Sequence, residues 1–440
     1  MSAPLPEFVR RSLEMLNGAG FQAMLAGGCV RDRLLGITPK DYDIATSATP
    51  EQVTRVFGAT PELKVVPTGI DHGTVTVVWP GVPIEVTTLR RDVATDGRRA
   101  VVAFGTSFEE DAARRDFTIN AMYEDGSGRL HDFFDGLMDL KARRLRFVGD
   151  PQTRIREDYL RILRWFRFWS RFDFTTDGGA QQAVRDHVSG LRQVSQERIT
   201  HEMRQMLSGP APGLISSLTA MRDLEVLALI LPECTWTDAT IRAAARLGSS
   251  TGDDLDQKIA ADPRVWALRF ALLMMQSVPQ RNERELRLLG QRMRFSRAES
   301  ELVEFLVTLT PKLERLWVEG QSPPRPSQVM DLADSVDEAL GPLGFTELLV
   351  PWLEAASALG GPFPTAQAQL LVETEFHQGA RRRTPIPILT SDLMRELGLP
   401  PGKIVGEVVR ELTVTWRNLE WQTSEEGLAL ARDFLRERGV

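Results

Sequence analysis

The stretch that most constrains this chain runs from Leu25 to Ile44, L-A-G-G-C-V-R-D-R-L-L-G-I-T-P-K-D-Y-D-I. It reads as strand, glycine turn, short helix, loop and strand. Gln22 to Ala26 are mostly apolar and end at Gly27-Gly28, where two absent side chains let the backbone turn and let a bulky group approach. Val30 to Leu35 have room for one or two helical turns. Pro39 interrupts, and Lys40 to Ala45 then alternate as a strand does. Residues two apart on a strand share a face, so the pattern predicts Asp41 and Asp43 side by side. Paired carboxylates repel unless a proton or cation sits between them, and a hard divalent cation suits them. A D-x-D or a Gly-Gly alone is ordinary. Together with Arg31, just inside the helix, they fit a nucleoside triphosphate and its metals.

At 440 residues the chain is too long for one simple core, and several domains are expected. Cys29 and Cys234 form no disulfide framework and no zinc spacing, which points to a reducing cytoplasm. The N-terminus lacks the apolar core of a signal peptide, and no apolar run approaches the ~18 residues of a membrane span. The net charge of −7 argues against nonspecific coating of nucleic acid, although local arginine clusters leave a specific RNA site open.

In order, Phe8 to Leu16 reads as an amphipathic helix ended by Asn17-Gly18. Thr49 caps another, with Pro50 in its first turn. Lys64–Pro67, Thr74–Trp79 and Pro83–Leu89 read as strands. In the last, Glu85 interrupts an apolar run; if that strand lies beside Asp41-Tyr42-Asp43, Glu85 completes a three-carboxylate cluster. Arg90 to Gly105 reads as a polar loop. Ala113, Phe117 and Ala121 recur at helical spacing within Phe108–Tyr123, beside Arg115, Asp116 and Asn120. His131 to Asp139 reads as a turn rather than a metal site. Beyond Thr153 long helices are expected: Glu157–Phe168 with Asp158, Arg161 and Arg164 sharing a face, then Glu197–Leu207. Further helices are expected at Leu214–Leu231, Pro263–Val278, Arg284–Met293 and Glu299–Trp317. Glu319 to Ser327 reads as a linker, followed by helices at 348–359 and 366–373, a basic loop at 379–387, a helix from Ser391 to Leu397, and another over Ile404–Trp416.

Five ordered motifs then carry a resemblance: G-G-C-V-R-D at Gly27–Asp32, D-Y-D at Asp41–Asp43, I-E-V-T-T-L-R at Ile84–Arg90, R-R-D-F-T-I-N-A at Arg114–Ala121, and E-D-Y-L-R-I-L-R at Glu157–Arg164. Glu197-Arg198 with Glu202 and the stretch T-S-D-L-M-R-E-L-G-L-P-P-G-K-I-V-G from Thr390 add to it. The chain resembles the class II tRNA nucleotidyltransferases, that is, the CCA-adding enzymes and their bacterial poly(A) polymerase relatives. The resemblance implies an α+β chain. Residues 1–150 would form a mixed-sheet nucleotidyltransferase head of the DNA polymerase β type. A helical neck (151–210), body (211–330) and tail (331–440) would follow, the last two holding the acceptor and TΨC arm of tRNA.

It also implies roles. Asp41 and Asp43 would hold two Mg²⁺ ions, with Glu85 positioning the RNA 3′ end or a metal. Gly28 and Arg31 would meet the triphosphate, and Arg115, Asp116 and Asn120 would orient ribose and phosphates. Asp158 and Arg161 would pair with the base of CTP or ATP, with Arg164 and Arg167 nearby. Cytosine and adenine each show an amino donor beside a ring-nitrogen acceptor, which a carboxylate beside a guanidinium complements; uracil and guanine show the opposite pattern. Thr68 to Val75 resembles the CCA-adding branch more than the poly(A) polymerase branch. The near-full-length stretch Arg90 to Phe104 favours complete CCA addition over enzymes that add only CC or only A. A catalytically inactive tRNA-binding protein is the remaining alternative. No protein partner is evident.

Overall fold

The structure, a computed structural model, describes residues 4–70, 73–95, 100–105, 107–248, 254–275, 283–316, 352, 355, 386, 388–417 and 423–438. Its contacts divide into two compact units, Met1–Leu207 with Ala211–Glu233, and Ser208–Pro210 with Cys234–Val440. The first unit therefore holds the expected head and neck and also the helices up to Glu233.

The first unit is built on a mixed seven-stranded sheet. Its strands are β1 (Ala23–Ala26), β2 (Asp43–Thr46), β3 (Lys64–Gly69), β4 (Thr74–Trp79), β5 (Val82–Thr88), β8 (Met122–Glu124) and β9 (Leu130–Asp132), in the order β3-β4-β5-β2-β1-β8-β9. Strands β6 (Arg90–Thr95) and β7 (Ala100–Phe104) form a separate antiparallel ribbon where a loop was expected. All pairings in the seven-stranded sheet are antiparallel except β2 with β5, which run parallel. Period-2 alternation sorts the two faces. Ile84, Val86, Val75, Val77 and Trp79 are buried on one face, while Glu85, Thr87, Thr74 and Thr76 alternate with them. Helices α1 (Glu7–Gly18) and α3 (Pro50–Gly58) pack on this part of the fold through Leu13, Leu16, Val53 and Phe57, and the Trp79 indole donates to Ser12 Oγ at 2.9 Å. Thr49 caps α3 as expected, and Gln52 completes a capping box with it.

Two expected helices divide. Phe108–Tyr123 is helical only over α4 (Phe108–Ala113); Phe117 is extended, Thr118–Asn120 make a 3₁₀ turn, and Met122 joins β8. Tertiary pairing decides this: Tyr123 and Glu124 hydrogen-bond beside β1, and Phe117 packs on Phe147 and Phe168. Glu157–Phe168 is also not one helix. Asp150 caps α6 (Pro151–Glu157), Asp158 is extended, and α7 runs Arg161–Phe172. The Asp158 carboxylate accepts from Leu160 N at 3.1 Å, the kind of local bond that favours Asp at a helix start. The Tyr159 ring fills the space over Gly190, where a Cβ would lie 2.1 Å from it. Hence Asp158 and Arg161 do not share a continuous helix face.

After α8 (Gly178–His187), α9 (Gln196–Leu207) packs on α7. The segment expected as one helix over Leu214–Leu231 breaks at Glu225, whose φ is 60°, into Leu214–Asp223 and Val226–Ile230. The stretch His131 to Asp139, expected as a turn, instead ends β9 at Asp132, turns through 133–135 and enters the short helix α5 (Gly136–Lys141). Asp132 accepts from Gly136 N and Leu137 N at 2.9 Å, and Asp125 ties His131 at 2.9 Å.

In the second unit, helices span Asp238–Arg246, Asp254–Ala261, Val265–Met274, Glu283–Arg292 and Arg297–Leu316, then Thr390–Leu397, Lys403–Arg417 and Ser424–Glu437. Gly398 ends the Thr390 helix in the left-handed region, as its place after Leu397 predicts. The buried Arg269 donates to the carbonyls of Leu247, Gly248 and Gly209 at 2.8–3.0 Å. The expected linker at 319–327 and helices at 348–359 and 366–373 lie outside the described residues, apart from Trp352 and Ala355. The basic loop at 379–387 does too, apart from Ile386. No helix among the described residues is long and apolar enough to cross a membrane.

Candidate active site

One cleft of about 600 Å³ lies in the first unit. Its lining brings together Gly28, Arg31, Asp43, Glu85, Arg115, Asp116, Asn120, Asp158, Arg161, Arg164 and Arg167, which is every expected site residue except Asp41. The parallel register sets Asp43 directly opposite Glu85, and Glu85 N donates to Tyr42 O at 3.3 Å. Asp41 is exposed and sits in the bend before β2 starts. Among the described residues no three His, Cys, Asp or Glu side chains gather to hold a metal. The expected three-carboxylate cluster is thus a strand-borne pair with Asp41 beside it, because the strand begins at Asp43 rather than at Lys40. Burial, with the charges of Glu85 and Asp41, pushes the Asp43 carboxyl up to about 6 against the pull of Arg115. Such an acid pair needs a cation, and oxygen donors suit Mg²⁺, which takes few protein ligands and fills its shell with water and substrate phosphates.

Gly27 turns the chain from β1 into α2 (Gly28–Leu34) with φ +75°, and Arg115 Nη1 occupies the place of its missing Cβ, 2.6 Å from it. Arg115 is held there by Asp111 at 3.0 Å, by the Tyr123 hydroxyl at 3.2 Å and by Asn120 O at 3.2 Å. Arg31 is buried between Phe168 and Phe172, and its N–H groups go to Asp32 and to Asn120 Oδ1. Asn120 Nδ2 in turn donates to Asp116, which accepts Arg164 Nε at 2.7 Å. Burial alone would raise the Asp116 carboxyl; Arg164 and Asn120 outweigh it and bring it down to about 2. One buried chain of bonds, Arg31–Asn120–Asp116–Arg164, thus ties α2, the 3₁₀ turn and α7 together.

On α7 the cationic residues Arg161, Arg164, Arg167 and Arg171 follow helical spacing along the cleft, and Trp165, Phe166 and Phe168 are buried. Glu202 of α9, buried, lies 2.7 Å from Arg167 Nε and 3.9 Å from Arg164. Arg161 donates to Glu157 at 2.6 Å and to the carbonyls of Arg154 and Arg114 at 2.9 Å. Asp158 is paired with Arg198, not Arg161. Asp111, Tyr123, Glu157, Arg198 and Glu202 carried no individual role in the sequence reading. The signal available was the i, i+4 pair Arg198 and Glu202, which places both on one face of α9.

The Poly A polymerase head domain matches residues 23–146, and the family described as probable RNA and SrmB-binding site of polymerase A matches 173–236. The mitochondrial CCA tRNA nucleotidyltransferase 1 of Danio rerio is 34% identical over 93% of this chain and 86% of its own length. The chain belongs to the CCA-adding tRNA nucleotidyltransferases. A CCA-adding enzyme of Streptococcus gordonii is likewise 34% identical, over 91% of this chain and 90% of its own. A CCA-adding enzyme of Bacillus stearothermophilus, solved with CTP, superposes with a TM-score of 0.71 at 27% identity, covering 98% of both chains. One from Thermotoga maritima, solved with tRNA, shares the fold at a TM-score of 0.70 and 19% identity, over 98% of this chain and 96% of that one. As a member of this family the chain is a nucleotidyltransferase whose head continues into helices, the architecture expected from its motifs.

Proposed function

We propose that this chain rebuilds the 3′ end of tRNA, adding C, C and A in turn from CTP and ATP, releasing pyrophosphate and using no nucleic-acid template. The observation that carries the reading is the shared cleft: the acid pair Asp43–Glu85 and the neck residues Asp158 and Arg161 line one space. Phosphoryl chemistry and base choice then act on one bound nucleotide.

In this reading Gly27, Gly28 and Arg115 receive the triphosphate, and Arg31, Asn120 and Asp116 set Arg164 beside it. Asp41 and Asp43 would hold Mg²⁺, with Glu85 adjoining. The metal's chemistry is to make the RNA 3′-hydroxyl a better nucleophile and to offset charge on the triphosphate. The parallel strand order puts β1 and its glycine turn on one side of Asp43 and β5 on the other. In-line attack therefore brings the RNA end over the β5 side, opposite the pyrophosphate. Asp158 accepts the exocyclic amino group of the base, and Arg161 donates to the ring nitrogen. Head and neck residues (1–150 and 151–210) thus do the chemistry, while the body and tail (211–330 and 331–440) hold the tRNA. Cys29 and Cys234, both thiols rather than disulfide partners, fit a cytoplasmic setting.

The test uses tRNA transcripts ending at the discriminator base, at C or at CC, with labelled CTP or ATP and Mg²⁺. Complete CCA addition is expected. Addition of C only or A only would make this an enzyme of divided labour. Long A tails on unrelated RNA would make it a poly(A) polymerase, and no incorporation would overturn catalysis altogether.

A further inference from the structure

We propose that Arg198 is a positioning residue for base selection, fixing the Asp158 carboxylate where it accepts from an incoming cytosine or adenine. The inference rests on the base-reading role given above to Asp158 and Arg161.

Asp158 is a poor candidate to hold itself still. It lies in the break between α6 and α7, with φ −153° and ψ 106°, where no helical ladder of bonds immobilises it. Arg198, in the first turn of α9, reaches it from forty residues away. Its guanidinium meets both oxygens, Nη2 to Oδ2 at 2.7 Å and Nη1 to Oδ1 at 3.3 Å. A two-pronged contact fixes the plane of a carboxylate as a single point charge does not. Leu160 N–H holds Oδ1 from the other side. Each carboxylate oxygen offers two lone pairs, so these three bonds leave the second lone pair of Oδ2 to the nucleotide. Both side chains line the cleft and are only partly exposed.

The cationic partner is held by different parts. Three of the five guanidinium N–H groups of Arg161 go to Glu157 and to the carbonyls of Arg154 and Arg114, leaving two for a base. Acceptor and donor are thus clamped separately. That separation matters because Asp158 stands among cations, and Arg164 feels its charge. Released from Arg198, the carboxylate would turn toward Arg161 or Arg164. An internal ion pair would then replace the acceptor–donor pair that a base can read. Arg198 acts by keeping Asp158 out of that pairing.

The experiment measures single-nucleotide addition to a tRNA transcript ending at the discriminator base, with CTP and separately with UTP. Wild type, Arg198→Gln, Arg198→Lys, Asp158→Ala and the double variant Asp158→Ala/Arg198→Gln are compared, with thermal melts and tRNA binding measured in parallel. Arg198→Gln is expected to cut the CTP-over-UTP ratio of kcat/KM about 10-fold or more, the scale of a lost charge-assisted hydrogen bond, with tRNA binding unchanged. Arg198→Lys, which keeps the charge but not the fork, should recover part of it. The double variant should be no worse than Asp158→Ala alone, as for two groups acting through one atom. If Asp158→Ala loses discrimination while both Arg198 variants keep the wild-type ratio, the positioning role is wrong and the base-reading role stands. If Asp158→Ala itself keeps the ratio, the base-reading role fails and this inference with it. Should Arg198→Gln melt early, Arg198→Lys decides alone, a wild-type ratio overturning the proposal.

Discussion

Asp43 and Glu85 face each other across two parallel strands, and no cationic side chain closes on either as a hydrogen-bonded partner among the described residues. The cost falls on Asp43, whose carboxyl is raised to about 6 from the ordinary 3.8. A proton therefore binds the folded metal-free protein more tightly than the unfolded chain, so its stability should fall as pH rises from about 4 to about 6. Asp43→Asn removes that titration. Thermal melts without metal should show the variant more stable at pH 7, by of order 1–2 kcal/mol after allowance for solvent screening. The same variant should lose nucleotide incorporation almost completely. Wild-type activity with Mg²⁺ should decline below about pH 6, where protons compete with the metal for Asp43. Retained activity in Asp43→Asn would remove Asp43 from catalysis.

Gly27→Ala addresses the triphosphate side of the cleft. The φ of +75° strains any side chain, and the added Cβ would meet Arg115 Nη1 at 2.6 Å. Arg115 cannot yield easily, since Asp111, Tyr123 and Asn120 hold it. With Arg115 at the phosphates rather than the base, as proposed above, KM should rise by about 10-fold for CTP and ATP alike, the scale of one charged contact, with the ratio between them unchanged. Steady-state kinetics with both nucleotides reads this directly. A selective effect on one nucleotide would place Arg115 near the base instead.

Much of the cleft was legible because its chemistry is carried by short, local patterns. Gly27-Gly28, Glu85 on its strand and the arginines of α7 each sit where their spacing placed them. The errors came from long-range forces. Phe108–Tyr123 has helical spacing, but Tyr123 is worth more beside β1 and Phe117 under Phe168. Glu157–Phe168 has a helical pattern too, yet Tyr159 docks on Gly190 and Asp158, extended, ends α6 and takes Leu160 N on its carboxylate. Partners such as Asp111 for Arg115 or Arg198 for Asp158 depend on which helices pack together, and no local periodicity encodes that.

Glu202 supplies the buried countercharge for the arginines of α7. Its side chain is about 5% exposed and lies 2.7 Å from Arg167. Glu202→Gln leaves Arg167 buried without its anion, beside Arg164. Truncating one partner of a buried pair costs about 3–5 kcal/mol, so the first unit should melt markedly earlier. Glu202→Gln with Arg167→Met should recover part of that loss, because both charges are gone. A double variant no more stable than Glu202→Gln would show that the carboxylate acts through something other than Arg167.

Gly190→Ala reaches base choice without touching the nucleotide. The new methyl would lie 2.1 Å from the Tyr159 ring, far inside contact distance, so either the ring or the Gly190 backbone must move. Tyr159 adjoins Asp158, and the ring anchors the break between α6 and α7. Displacing it shifts Asp158 relative to Arg161, which Glu157 and two carbonyls hold in place. On the base-reading role proposed for Asp158 and the phosphate role proposed for Arg115, misplacing Asp158 should lower CTP-over-UTP discrimination while leaving Arg115 in place. The expected result is a reduced ratio of kcat/KM for CTP over UTP, with inhibition by free pyrophosphate, which reports on the phosphate site alone, unchanged. Equal weakening of both would mean that Gly190 supports the whole neck rather than the position of Asp158.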